Sequence, residues 1–341
     1  MKLLAQISVL FAGVCSVFAQ SKPVALMPGM GQHHHSISTE SREAQRFFDQ
    51  GLTLVFGFNH EEAARSFQRA AELDPQAAMP YWGVALAFGP CINLDVDPPH
   101  EKAAYEAMQK AISLSPHAIE SERAYIQALA ARYSADPGAN LRKLDADYAR
   151  AMRDLSRRYP DDLDVATLYA ESLMDLHPWK LWTLDGRPAE GTEDIVAILE
   201  SVLRRDPNHI GANHYYIHAV EASPHPEWAL PSARRLETLA PGAGHLVHMP
   251  AHTFFRVGDY AASARSNAIA ADTDRVYLRD SGTTGSMYDI IYFAHNLQYL
   301  AAADCMQGRF ATPDMPPRKW LRTSAPWFRP IRRWPNPTCP L

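Results

Sequence analysis

The fold of this chain is decided by residues 43–75, EAQRFFDQGLTLVFGFNHEEAARSFQRAAELDP. Apolar residues at the 3.6-residue period predict two helices, with Phe47, Gly51 and Leu54 on the first and Ala63, Phe67 and Ala70 on the second. A short turn at 57–60 separates them. Gly51 and Ala63 are small, which predicts that the two helices cross closely. Pro75 ends the second helix because proline cannot continue it.

The proline that closes this unit recurs along the chain. Later segments end in the same way, at Pro116, Pro160, Pro207 and Pro241, and the five prolines lie 41, 44, 47 and 34 residues apart. We assign the extra length to three insertions between paired helices, rich in Pro, Gly and Asp, at 89–101, 134–142 and 177–193. A sixth unit with the spacing of the first follows from about residue 244, and a seventh begins near residue 294.

The unit resembles the tetratricopeptide repeat, a helix–turn–helix of about 34 residues. The resemblance rests on the aromatic start, the small crossing residues, the alanine spacing and the terminal proline of residues 43–75, and it weakens in the third and fourth units. It implies an all-α fold, a right-handed superhelical solenoid of six to seven units over residues 42–312. It also implies a concave groove, lined by the first helix of each unit, that holds a protein or peptide partner. An all-α bundle would explain the helical period but not the recurring prolines.

The N-terminal residues have the pattern of a secretory signal peptide, which we predict at 1–19. Lys2 precedes an apolar stretch at 3–14 and a small-residue cleavage pattern at 17–19. The stretch is too short and interrupted to span a membrane, so we expect no transmembrane helix in the mature chain. The pattern predicts export to the periplasm or the extracellular space. Lipid attachment at Cys15 and a buried N-terminal helix are the alternatives.

Charge and cysteine content exclude several classes of function. The formal net charge is −5, yet the residues after Asp314 carry six basic side chains and no acid. The rest of the chain is therefore strongly acidic, which argues against a nucleic-acid-binding body. The four cysteines are scattered and form no CxxC or CxxCH motif, so they predict neither a disulfide framework nor a haem attachment site.

Residues 313–341 break the repeat pattern. The seventh unit has a first helix and a turn, but eight prolines in the following segment exclude a regular second helix. A solenoid needs a polar cap over its last apolar face, and none is recognisable in this Pro-, Arg- and Trp-rich tail. Two interpretations stay open. The tail is either the out-of-frame product of a frameshift or a mis-assigned gene end, or a genuine basic segment that binds a partner in the polyproline conformation.

Six histidines fall in three consecutive units, and the repeat frame places them on one surface. They are His214 and His218 in the fifth unit, His245, His248 and His252 in the sixth, and His295 in the seventh. The second, fifth and ninth residues of a unit share one helical face, and in the resembled family this face lines the groove. Glu221 extends this histidine strip by one turn, and Glu171 lies on the groove face of the fourth unit.

This density of imidazoles predicts a transition-metal site. His214 and His218, four residues apart on one helix, form a competent pair of ligands. Nitrogen ligands with a carboxylate suit zinc, copper, iron or nickel, and the sequence does not choose among them. Two other interpretations stay open, namely that the histidines bind an organic or peptide ligand, or that they have no joint role. Pro250 predicts a helix start, which would leave His245 and His248 in the preceding loop.

A second group of histidines, His33, His34 and His35, lies in residues 20–41, which we expect to be a flexible segment. These three are secondary candidates for metal binding, together with Glu171 and Glu221. The alternative is a mobile segment without ligands.

Two classes of function follow from these patterns. The first is an exported scaffold that binds a peptide, a protein or a small ligand in its concave groove and carries a histidine-rich, metal-binding subsite. The alternative is a metal carrier or a metalloenzyme that uses the same histidines, with Glu171 or Glu221 as acid or base. No known catalytic motif is present, so the sequence does not identify an enzyme.

Overall fold

The computed structural model describes residues 23–309, and every regular element in this part of the chain is helical. The α-helices are α1 (Arg42–Phe56), α2 (His60–Leu73), α3 (Ala78–Ala87), α4 (Pro98–Leu114), α5 (Glu120–Ala130), α6 (Leu141–Arg158), α7 (Leu163–Met174), α8 (Thr192–Arg205), α9 (Ile210–Val220), α10 (Leu230–Leu239), α11 (Gly244–His248), α12 (Pro250–Arg256), α13 (Tyr260–Ser281) and α14 (Ala294–Met306). Two short 3-10 helices, Ser115–His117 and Pro226–Ala229, and a π-helical turn, Asp289–Phe293, complete the set. The predicted signal peptide and the Pro-rich tail lie outside the described residues.

The first helix pair forms as the sequence predicts. Ser41 caps α1 by accepting a hydrogen bond from the backbone of Ala44, and Asn59 caps α2 in the same way. A Cβ atom added to Gly51 would lie 2.7 Å from the ring of Phe67 on α2. Only a residue without a side chain therefore allows this crossing, and the expectation of a close approach is confirmed.

The helices pack in the order of the chain, each against its successor. Long connections lie at 88–97, 131–140 and 175–191, where the sequence predicted insertions between paired helices. The all-α expectation is thereby confirmed. No helix in the described part of the chain has both the length and the apolar character that crossing a bilayer requires.

The first helix pair also packs against helices far along the chain. A Cβ atom on Gly211 of α9 would lie 2.6 Å from the ring of Phe56, and Leu246 of α11 packs on Gly57. The ring of Phe58 lies 4.6 Å from that of His214, measured between centroids. The inner faces of α9 and α11 are thus covered by the end of α1 and the turn after it. At the histidines, the expected open groove is replaced by a buried interior.

Residues 23–40, expected to be flexible, are packed against the helical body. The backbone of Met27 donates to Gln50 Oε1 at 2.6 Å, and Gly242 donates to the carbonyl of Gly29 at 2.8 Å. The segment therefore bridges α1 and the turn before α11. This contact brings His33 and His35 to the body of the protein, where they meet side chains from α7 and the start of α9.

Candidate metal centre

Four helices carry the six histidines of the strip. His214 and His218 project from α9, His245 and His248 from α11, His252 from α12 and His295 from α14. The first five are between 0 and 5% exposed, and His295 is half-buried. The structure therefore brings together all six histidines that the sequence singled out.

Pro250 begins a helix, as expected, but the residues before it are helical as well. Helix α11 ends at His248, and Met249 keeps helical angles of φ −54° and ψ −34° before α12 begins. His245 and His248 consequently lie on a helix, which corrects the expectation that a loop would carry them. A proline at this position only removes one backbone donor between two nearly continuous helices.

Three of the imidazoles have their Nδ1 atoms fixed by acceptors. His214 Nδ1 lies 2.5 Å from the carbonyl oxygen of Phe56. Glu221, at the end of α9, accepts from His218 Nδ1 at 2.7 Å through one carboxylate oxygen and from His252 Nδ1 at 2.5 Å through the other. A carbonyl or carboxylate oxygen only accepts, so each Nδ1 carries the proton and each Nε2 presents a lone pair. This is the tautomer that binds a metal through Nε2.

His248 has the same tautomer and faces two other histidines. Its Nδ1 lies 2.6 Å from Asn267 Oδ1, and the amide nitrogen of Asn267 donates to the carbonyl of Ser263, which fixes the orientation of the amide. His248 Nε2 lies 2.9 Å from His252 Nε2, and His295 Nε2 lies 3.3 Å from the same atom. We call these three residues, His248, His252 and His295, trio A.

His214, His218 and His245 form a second group, trio B, whose ligand atoms lie within 4.8 Å of one another. Four nitrogen atoms of trio B are buried and have no hydrogen-bond partner among the described residues: His214 Nε2, His218 Nε2, His245 Nδ1 and His245 Nε2. Buried polar atoms are nearly always paired, and leaving one unpaired costs about 1–3 kcal/mol. These four atoms make trio B a candidate ligand site.

Burial keeps these imidazoles neutral. It lowers the pKa of His214, His245 and His248 well below the usual range, and neighbouring histidines lower it further. Burial also lowers the pKa of His295 to about 4. Neutral imidazole is the form that binds metals, so these side chains are ready ligands at neutral pH.

Glu221 is ionised and joins the two trios. Burial by itself would raise the pKa of Glu221. The electrostatic interaction with His252, together with the hydrogen bonds that His218 and His252 donate, holds that pKa far below its usual range. Both of its oxygens already accept Nδ1 protons. Glu221 therefore orients the ligands of trio A and trio B, and the expected role as acid or base does not fit this arrangement.

Glu171, the other predicted carboxylate, does not reach the histidines. It lies with Asp175 and the buried Arg132, whose guanidinium is 2.5 Å from Asp175 Oδ2. Burial, and after it the charge of Asp175, raises the pKa of Glu171 well above its usual range. A buried carboxyl beside this ion pair is a structural group, which corrects its assignment to the metal site.

The N-terminal histidines form a separate cluster around Asp164 of α7. His33 Nε2 lies 3.0 Å from Asp164 Oδ1, and His35 Nδ1 lies 2.7 Å from Asp164 Oδ2. Burial alone lowers the pKa of His33 and His35, but Asp164 outweighs it and raises both. The pairing of these imidazoles with one carboxylate ties the segment to α7. His34 instead pairs at the surface with Asp49, 2.8 Å away.

His209 completes the cluster around Asp164 and was missed in the sequence. Its Nδ1 accepts a hydrogen bond from the backbone of Ala212 as the N-cap of α9, so the proton is on Nε2, 3.1 Å from Asp164 Oδ1. An imidazole nitrogen that carries a proton has no lone pair available to bind a metal. The cluster is therefore better suited to ion pairing than to metal binding.

Two strained residues converge on His218. Among the described residues other than glycine, only Phe58 (φ 55°) and Trp179 (φ 59°) have positive φ angles. The ring of Phe58 stacks on His218 at 5.8 Å, and that of Trp179 meets it edge-on at 5.6 Å. Left-handed backbone is unfavourable for large side chains and concentrates at functional sites. No local sequence signal marks either residue.

A cavity of about 270 Å³ leads from the surface to His218 and Glu221. Its wall is otherwise mostly apolar and consists of Ile92, Met174, Trp179, Leu181, Ala222, Arg256 and Tyr299. Tyr299 stacks on His252 with 4.5 Å between ring centroids, so the cavity adjoins both trios. A larger cavity, of about 450 Å³, lies between residues 23–28 and α13 and has no histidine in its wall.

No protein-family model matches this chain, and a search of curated proteins finds no significant match. The geometry of the site therefore carries the functional argument, since a helical fold alone does not imply a function.

Proposed function

We propose that this protein is a metalloenzyme that binds a transition metal on trio A and acts on a small molecule admitted by the adjacent cavity. The observation that carries this proposal is the 2.9 Å distance between His248 Nε2 and His252 Nε2. Both Nδ1 atoms are engaged by acceptors, which puts a lone pair on each Nε2.

Two facing lone pairs repel unless a cation lies between them. The cation is either a proton or a metal ion. Burial lowers the pKa of His248 well below the usual range, which disfavours a proton on this ring. A metal ion removes the repulsion and satisfies both atoms.

The spacing of trio A fits metal coordination. With metal–nitrogen distances of about 2.0–2.1 Å, two ligands lie about 3.3 Å apart in a tetrahedral site and about 2.9 Å apart at an octahedral right angle. The distances of His252 Nε2 to its two neighbours, 3.3 and 2.9 Å, match these values. Three imidazoles suit zinc, copper, iron or nickel, and such an ion when bound supplies Lewis-acid or redox chemistry.

The burial of the centre favours a resident ion over a transported one. His248 and His252 are 0 and 3% exposed, so loss of the ion requires the helices to open. The second candidate function is a metal carrier, which must release its ion readily. The rate at which a chelator removes the ion distinguishes the two, because a carrier should lose it faster than an enzyme with a resident ion.

The cavity supports access by a small, anionic molecule. Arg256 lies in the cavity wall and forms no ion pair with any residue in 23–309. Its guanidinium attracts an anion, while the remaining wall is mostly apolar. A peptide has no comparable place at the histidines, because Phe56 and Phe58 cover them.

Two further expectations remain proposals. We propose that the helices form a superhelix of the tetratricopeptide type, supported by the sequential packing and by the placement of the insertions. We also propose export, supported by the signal-like pattern of residues 1–19. Sequencing the N-terminus of the protein recovered outside the cytoplasm tests the second proposal, and an intact Met1 in that fraction would contradict cleavage at 19.

Azide binding to cobalt-loaded protein tests the proposed function. Cobalt(II) should remain bound during gel filtration in EDTA, and azide should change its visible spectrum. Ala222→Trp should fill the cavity and abolish the azide effect, while Ala135→Trp, at an exposed site in the loop 131–140, should leave it intact. Protein that retains no cobalt contradicts the metal site. Retained cobalt that does not respond to azide contradicts the access route.

A further inference from the structure

We propose that the chain binds a second transition-metal ion on trio B, beside the ion of trio A, so that the centre is dinuclear. This inference builds on the proposed function, because one carboxylate, Glu221, orients a ligand in each trio. The two sites would each have three imidazole ligands, and zinc, copper, iron and nickel all suit such a set.

The orphan nitrogen atoms are the first support. His214 Nε2 and His218 Nε2 are buried lone pairs, since both Nδ1 atoms donate to oxygen acceptors. His245 adds two more buried nitrogen atoms without a partner in the described residues. Trio A does not account for these atoms, because its own three Nε2 atoms face one another.

A single ion does not satisfy all six imidazoles. The rings follow one another along the strip, with His245 5.5 Å from His248 and His218 5.6 Å from His252, measured between centroids. Among the described residues, ligand atoms that all lie within 4.8 Å of one another group at most three of these histidines, and trio A and trio B are the two such groups. Two three-histidine sites side by side therefore describe the strip better than one six-histidine site.

The surroundings of trio B indicate a reactive site. Phe58 and Trp179, whose backbones have unfavourable positive φ angles, both hold their rings against His218. The cavity also opens onto His218, and its wall residue Tyr299 stacks on His252, which places both trios next to an incoming molecule. The ion on trio B would therefore meet the substrate together with the ion on trio A.

Two substitutions remove ligand atoms of trio B and leave the three side chains of trio A in place. His245→Leu deletes a side chain that forms no hydrogen bond and replaces it with an apolar one between Phe58 and Tyr292. His214→Asn keeps a donor for the carbonyl of Phe56 but removes the Nε2 ligand. Because His245→Leu removes two unpaired buried atoms, it should raise the unfolding temperature of the metal-free protein.

The test is a titration of the full chain with cobalt(II), followed by visible absorption and elemental analysis. The wild type should bind two ions, and His245→Leu and His214→Asn one each. His295→Ala should lose the other ion, and His117→Ala, at an exposed position outside both trios, should keep both. A wild type that binds one ion, retained in His245→Leu, overturns the second site and leaves trio A intact. A wild type that binds none overturns the proposed function itself.

Discussion

Glu221 Oε2 lies 2.5 Å from His252 Nδ1, and this contact fixes which nitrogen of the imidazole faces the centre. The other oxygen of Glu221 does the same for His218 at 2.7 Å. One buried carboxylate thereby sets the tautomers of two histidines on different helices. Metal sites in which a carboxylate orients a ligating histidine follow this arrangement.

Glu221→Gln should weaken metal binding. A glutamine amide offers one acceptor oxygen, so either His218 or His252 loses its acceptor and the preference for the correct tautomer. We expect the Kd for cobalt(II) to rise by about 10–100-fold. Glu227→Gln is the matched control, because Glu227 pairs with His225 at 3.1 Å on the surface. An unchanged Kd in Glu221→Gln would contradict the orienting role.

Gly211→Ala should separate α9 from α1 and destabilise the protein. The new Cβ would lie 2.6 Å from the ring of Phe56, a contact that the packing must relieve. We expect a loss of about 1–3 kcal/mol in the free energy of unfolding, measured by urea denaturation. Gly138→Ala is the control, since its Cβ would have no neighbour closer than 3.4 Å. Equal stability of the two variants would show that α1 and α9 do not pack as described.

Asp274→Asn should remove a pH dependence of unusual sign. Burial raises the pKa of Asp274 from 3.8 to about 7, despite hydrogen bonds from Tyr288 and Asn296. Between these values the folded state holds more protons than the unfolded state, so the free energy of unfolding decreases as the pH rises. The slope from this group is at most about 1.4 kcal/mol per pH unit.

Urea denaturation from pH 4.5 to 7.5 measures the effect. Asparagine keeps an acceptor oxygen for the amide of Asn296, and its lack of charge should make the variant less sensitive to pH than the wild type. If both proteins lose the same stability over this range, Asp274 does not titrate as we infer.

Asp164→Asn should release the N-terminal segment. Asp164 pairs with both His33 and His35, and His33 and His209 hold its pKa well below the usual range even though burial opposes this. Loss of the charge should increase amide hydrogen exchange in residues 30–40 by at least about tenfold, since each paired charge contributes 1 kcal/mol or more. Asp97→Asn, at an exposed pair with His100, is the control. Unchanged hydrogen exchange in Asp164→Asn would show that Asp164 does not hold the N-terminal segment on α7.

Much of the helical framework was predictable because it depends on local signals. The crossing at Gly51, the cap at Asn59 and the insertion before α8 follow from small residues, capping residues and Pro/Gly content near each position. The convergence of the six histidines also followed, because a repeat frame transfers the position of one helix to the next.

The enclosure of the site was not predictable in the same way. Contacts such as His214 with Phe56 join residues 158 positions apart, and no local sequence pattern encodes a contact over that separation. The left-handed angles at Phe58 and Trp179 and the docking of His33 beside Asp164 likewise depend on tertiary packing. For this reason the sequence placed the histidines on an open groove, whereas the structure encloses them.

The most direct test of the account is an anomalous-difference map from crystals of the full chain grown with cobalt(II), measured at the cobalt absorption edge. We predict a peak about 2.0–2.1 Å from the Nε2 atoms of His248, His252 and His295, with Glu221 still bonded to His252 Nδ1. The absence of an anomalous peak at these histidines, or a peak ligated by Glu221 in their place, would contradict a metal site on trio A.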